Sequence, residues 1–216
     1  MSVSGTQTVA EEWANSLTHG LGFVLSLIGV GLLGMEVLRP EATPWHITGA
    51  WVYGGALVFL YAASTLFHSV RSQRLKFVFQ VIDHVAIFVM IAGSYTPFAL
   101  VVLRDTMGWT MLGLAWSIAL VGIVYKICSR HRFKALSTLL YVAMGWMAVL
   151  FLEPLFQALP AAGIWWLVAG GLSYTVGVVF FVWERLPFSH AIWHVFVLIG
   201  SVCHFVVIWK YVLALP

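Results

Sequence analysis

The chain of 216 residues is 62% hydrophobic and only 9% charged, where a soluble domain is roughly one quarter charged. That balance excludes a soluble enzyme or binding module and places the chain, residues 1–216, in a bilayer as a single domain. The formal charge of +3 is no nucleic-acid signal, because the eleven Lys and Arg sit at the ends of apolar runs, where membrane topology puts them.

A polar arm of about residues 1–14 carries Glu11 and Glu12 but no Lys or Arg. It lacks the positive n-region of a cleavable signal peptide. Seven apolar runs follow, at about 15–37, 46–69, 81–103, 107–126, 135–151, 164–183 and 189–213. Each is close to the ~20 residues that cross ~30 Å of hydrocarbon as a helix. The expected fold is therefore all-α, a bundle of seven transmembrane helices joined by short loops. The first run holds Gly20, Gly22, Gly29, Gly31 and Gly34, small residues that let neighbouring backbones approach. The third opens on Asp83 and His84, and Pro97 should kink it. Trp45, Trp109, Trp165, Trp166, Trp183 and Trp209 fall near span ends, as an aromatic belt would. His131 lies in a basic loop and reads as solvated. Cys128 and Cys203 are too few for a disulfide framework and read as packing thiols. No internal repeat appears, which argues against a transporter built from inverted repeats.

Seven spans put the two termini on opposite sides. On the N-terminal side lie Arg71, Arg74, Lys76, Lys126, Arg130, Arg132, Lys134 and Arg185; on the other lie Arg39, Arg104 and Lys210. The positive-inside rule then predicts a cytoplasmic N-terminus and an external C-terminus. With that orientation nearly all the intramembrane polar groups gather near the cytoplasmic face. They are Asn15 and His19 on the first span, Ser64 and His68 on the second, Asp83 and His84 on the third, and His190 and His194 on the seventh. The outer ends hold little but His46. Ionisable groups in membrane segments are functional by default, and such sorting by side points to a site.

His190 and His194 are four residues apart and face the same way on a helix. His68 lies at the same depth. Three neutral imidazoles around one cation, with a fourth position open, is the donor set of a catalytic zinc site. A zinc so held lowers the pKa of its water to about 7 and can polarise a carbonyl. Asp83 reads either as the group that accepts the water's proton or as a helix N-terminal cap favoured by the dipole. Ser64, one turn from His68, can steady the water or a substrate oxygen, or bond its own helix backbone. His84 reads as interfacial. His204 is ten residues, ~15 Å, beyond His194 and is expected to bond a neighbouring helix instead of the metal. Glu11, Glu12, Asn15 and His19 form a separate group that either caps the first helix or closes the cytoplasmic mouth of the site, and the structural reading is preferred.

The segments Glu11-Glu12-x-x-Asn15-x-x-Thr18-His19-Gly20-x-Gly22, Ser64-Thr65-Leu66-Phe67-His68, Asp83-His84, Ala92-Gly93-Ser94-Tyr95-Thr96-Pro97 and His190-x-x-x-His194 resemble the bacterial hemolysin III family. That family is related to the progestin and adipoQ receptors and, more distantly, to alkaline ceramidases. The resemblance implies a seven-helix protein of a bacterial cytoplasmic (inner) membrane. It implies zinc on His68, His190 and His194, with Ser64 and Asp83 as the catalytic pair. It also implies chemistry on a membrane lipid, since the related receptors and ceramidases are thought to cleave lipid amides. Three functions follow as expectations: a zinc-dependent hydrolase of a lipid amide or ester, a sensor of membrane state with zinc as a structural tie, or a cytolysin. The last is disfavoured by the lack of an amphipathic pore helix.

Overall fold

The computed structural model describes residues 7–129 and 134–215. The expectations placed on Arg130, His131 and Arg132, and on the first six residues, lie outside the described residues. Helix α1 spans Val9–Val37, α2 Pro44–Ser69 and α3 Gln73–Pro97, which runs on as a π-helix over Phe98–Val102. Helix α4 spans Thr106–Ser129. The fifth segment is α5, Lys134–Gly145, then a 3-10 stretch, Trp146–Phe151, and α6, Leu152–Ala158. Helix α7 spans Ala161–Val182, and α8, Ser189–Val207, ends in a second π-helix, Ile208–Val212. Seven of these helical segments are long and apolar enough to cross a membrane, and the described residues contain no strand.

The helix bounds differ from the apolar runs in three places. Helix α1 starts at Val9, because Thr8 forms a capping box with Glu11, so residues 9–14 of the expected arm are helical. Helix α3 starts after Ser72, through a basic turn that an apolar count excludes. Asp83 therefore sits ten residues inside the helix, ~15 Å from its start, and it is not an N-terminal cap. The fifth segment continues past Phe151 to Ala158 because Pro154 falls in the first turn of α6, where a missing N–H costs nothing. At Pro97 the interruption takes the form of a change from α to π hydrogen bonding, with Leu103 N–H donating to the Phe98 carbonyl at 2.9 Å.

The helices pack in sequence, α1 on α2, α2 on α3 and α3 on α4, and α8 returns to lie between α1 and α7. Helices α2 and α3 are the most buried spans, while α7 and α1 are mostly turned outward. Two glycines on α1 and α3 let α2 approach closely. A Cβ on Gly22 would stand 2.4 Å from the Tyr61 ring, and one on Gly93 would stand 2.7 Å from the Ala56 Cβ. Gly31, by contrast, faces open space. Midway along α8 and its π-helical end, Ser201 ties three helices, bonded to the hydroxyls of Tyr61 at 2.9 Å and Tyr174 at 3.0 Å. At the far end His46 completes a capping box for α2 and bonds the Leu215 carbonyl, a structural role. Cys203 is buried but Cys128 is exposed, so the packing role holds for Cys203 alone.

Candidate metal centre

The last turn of α2 and the first two turns of α8 meet over the N-terminal half of α1. This brings His68, His190 and His194 together, each offering one ring nitrogen within 4.8 Å of the others. The ring centroids are 5.1 Å apart for His68 and His190, 5.2 Å for His68 and His194, and 4.6 Å for His190 and His194. Helix α8 enters this position after Phe188, whose φ of 57° is left-handed, an uncommon state for a bulky residue. The Phe188 N–H is held by the Glu11 carboxylate at 3.0 Å, so the cap of α1 also anchors the start of α8.

Two of the three rings have their tautomer set by their partners. His68 Nδ1 lies 2.8 Å from the Glu12 carboxylate, which only accepts, so Nδ1 carries the proton. His194 Nδ1 lies 3.2 Å from the Asn15 carbonyl and 3.1 Å from the Thr18 hydroxyl, and the carbonyl again requires a proton on Nδ1. Both Nε2 atoms are then bare lone pairs. Both are buried with no hydrogen-bond partner, a condition that costs about 1–3 kcal/mol per group. Nδ1–H bonded to a carboxylate or carbonyl, with Nε2 turned to a shared point, is how ligating histidines are oriented. The residues fit a metal ion that prefers imidazole, and zinc is one such ion.

Asp83 on α3 is buried and lies within electrostatic reach of His68, Ser64 and Lys126. The Ser64 hydroxyl is buried without a hydrogen-bond partner in good geometry. The structure thus gathers all five expected site residues at one end of the bundle. It also gives contacts to residues that the sequence reading set aside as structural or as loop charges. Glu12 is not a cap: its Oε1 pairs with Lys76 while its Oε2 holds His68. The 3 and 4 residue steps from Glu12 to Asn15 to His19 put all three on one helix face, a signal that was available. Lys126, counted from sequence only as a loop-end charge, is 2% exposed, 3.4 Å from the Ser137 hydroxyl. No sequence feature marks it. His84 bonds its own helix at the Gln80 carbonyl. His204 is no part of the three-histidine cluster and stands beside the Leu167 backbone of α7.

His19, read from sequence as structural, lies flat on His194, with centroids 3.4 Å apart and planes 12° apart. Together with Asp83 and Trp193 it lines one end of a cavity of about 220 Å³. From there the cavity runs between α3, α5, α7 and α8 past Met90, Val197 and Leu155, and most of its wall is apolar.

Comparison with known proteins identifies the family. The sequence pattern of the family described as haemolysin-III related matches residues 7–205. The chain is 44% identical over 208 residues to Hemolysin-3 of Bacillus cereus, covering 96% of this chain and 94% of that one. It is 42% identical over 209 residues to the Hemolysin-3 homolog of Bacillus subtilis, covering 97% and 98%. It is also 32% identical over 215 residues to the human monocyte to macrophage differentiation factor, covering 97% and 87%. A match of this extent, on a chain with seven membrane-spanning helices and a three-histidine cluster, makes the protein a member of the haemolysin-III related family.

Proposed function

We propose that the protein is a zinc-dependent hydrolase of a lipid amide or ester in a bacterial cytoplasmic membrane, with its N-terminus and its metal site on the cytoplasmic side. The observation that carries this reading is the placement of Asp83. It stands beside the three-histidine cluster and at the polar end of a largely apolar cavity. A structural metal tie alone would need neither the acid nor the cavity.

His68, His190 and His194 would hold the ion, and zinc bound there supplies a Lewis acid and a water with a pKa of about 7. The chain's own residues do the rest. The cavity takes the acyl chain and excludes bulk water, which strengthens every polar contact at its inner end. Asp83 accepts a proton during attack on the carbonyl, and Ser64 hydrogen-bonds an oxygen at the same level. Glu12, Asn15 and Thr18 keep two of the imidazoles in the tautomer that presents Nε2.

A second reading, a sensor of membrane state with zinc as a tie, is favoured by one observation: these three partners all come from α1, so an ion would lock α1, α2 and α8 together. Asp83→Asn separates the two. For a hydrolase the variant keeps zinc and loses fatty-acid release by about 10²–10⁴-fold, the usual contribution of a general acid–base group. The assay follows fatty acid from a panel of lipid amides and esters in nanodiscs. Zinc-loaded wild-type protein that releases none from any member would leave the sensor reading in its place.

A further inference from the structure

One buried polar side chain beside the metal cluster neither offers a ligand to it nor bonds one of its rings. His19 is 1% exposed, and neither of its ring nitrogens has a hydrogen-bond partner. Its ring is clamped: one face lies on His194, and Tyr61 meets it at 5.1 Å and 88°. A phenyl ring would pack in the same slot without burying two unsatisfied nitrogens, which is costly. His19 also reaches the end of the cavity where Asp83 stands. One turn earlier on the same face of α1, the Asn15 side-chain oxygen is likewise buried without a partner, its amide being used on Gln7.

We propose that His19 binds the polar linkage of the lipid that occupies the cavity, a role that rests on the reading of the cavity as a lipid site. A neutral imidazole offers one N–H and one lone pair. The two point apart across the ring, so the N–H of an amide-type linkage satisfies the lone pair while the ring N–H takes a separate acceptor. A group with acceptors alone leaves one nitrogen bare. The stack on His194 fixes the plane in which the two nitrogens point, so His19 selects the linkage by hydrogen bonding while the apolar wall takes the chain without selecting.

The test uses the full chain, zinc-loaded in nanodiscs, and two oleyl ureas that resist hydrolysis. One keeps its N–H groups and the other is fully N-methylated. Wild-type protein is expected to bind the N–H urea about tenfold more tightly, the worth of one satisfied buried hydrogen bond. His19→Phe should abolish that preference with zinc content and thermal midpoint unchanged. His19→Gln, which keeps a donor and an acceptor, should retain most of it. An undiminished preference in His19→Phe, or no preference in wild-type protein, overturns the proposal. Loss of zinc in both variants also overturns it, because His19 would then belong to the metal site itself. Fatty-acid release is measured on the same wild-type sample. A urea preference without any release rejects the hydrolase and leaves His19 as a binding residue.

Discussion

Glu12 offers the most direct way to perturb the metal site without touching a ligand. Its carboxylate lies 2.8 Å from His68 Nδ1, and its other oxygen pairs with Lys76. A carboxylate in that position orients the ring and raises the basicity of Nε2, and loss of such a partner typically costs 10–100-fold in metal affinity, or about 1.4–2.8 kcal/mol. Two variants divide that cost. Glu12→Gln keeps the size and still accepts from Nδ1–H, so it removes the charge alone and should fall near the tenfold end. Glu12→Ala removes charge and orientation together and leaves Lys76 without its carboxylate, so it should approach a hundredfold. Lys76→Met is the control, since it breaks the ion pair but leaves the bond to His68, and it should cost less than Glu12→Ala. Zinc affinity is read by competition with a chromophoric chelator in detergent. Glu12→Ala protein that binds zinc as tightly as wild type would refute the argument that α1 supports the ligand on α2.

Gly93→Ala places a methyl group 2.7 Å from the Ala56 Cβ and should destabilise the α2–α3 contact by about 1–3 kcal/mol, measured by reversible unfolding in mixed micelles. Gly31→Ala, which meets open space, should cost nothing, and equal stability of the two variants would remove the packing argument. For topology, reporter fusions at residue 216 and at about residue 130 should report opposite sides of the membrane, the latter cytoplasmic; the same side for both would reject seven crossings.

The seven spans were legible because each is a nearly unbroken apolar run, and a bilayer demands little more of a sequence than length and hydrophobicity. The ends of the helices were not. An apolar count stops at the first charge, whereas the hydrogen-bonded helix continues into water, as α3 does through Arg74 and Lys76 from Gln73. That error had a chemical consequence, since it placed Asp83 in a first turn and gave it a capping role that the structure removes. The meeting of His68 with His190 and His194 was foreseen from two features, the four-residue spacing on one helix and equal depth on another. Depth does not say which helices are neighbours, however. Nothing in the apolar pattern brings α1 against α8, and so Glu12, Asn15 and His19 read first as the cap of α1, with closure of the mouth of the site as the alternative. In the structure they become partners of the cluster through contacts 56 to 179 residues apart in the chain. Lys126 and the cavity were hidden for the same reason, because both exist only once α3, α4, α5 and α7 are assembled.

The central claim is that three histidines from two helices hold one zinc ion. Metal analysis of protein purified without chelators, with X-ray absorption at the zinc edge, tests it most directly. About one zinc per chain is expected, with nitrogen ligands at about 2.0–2.1 Å. Zinc should be lost in His68→Ala, His190→Ala or His194→Ala and kept in His204→Ala, whose ring lies outside the cluster. Full zinc occupancy in the variant lacking all three of His68, His190 and His194 would contradict it.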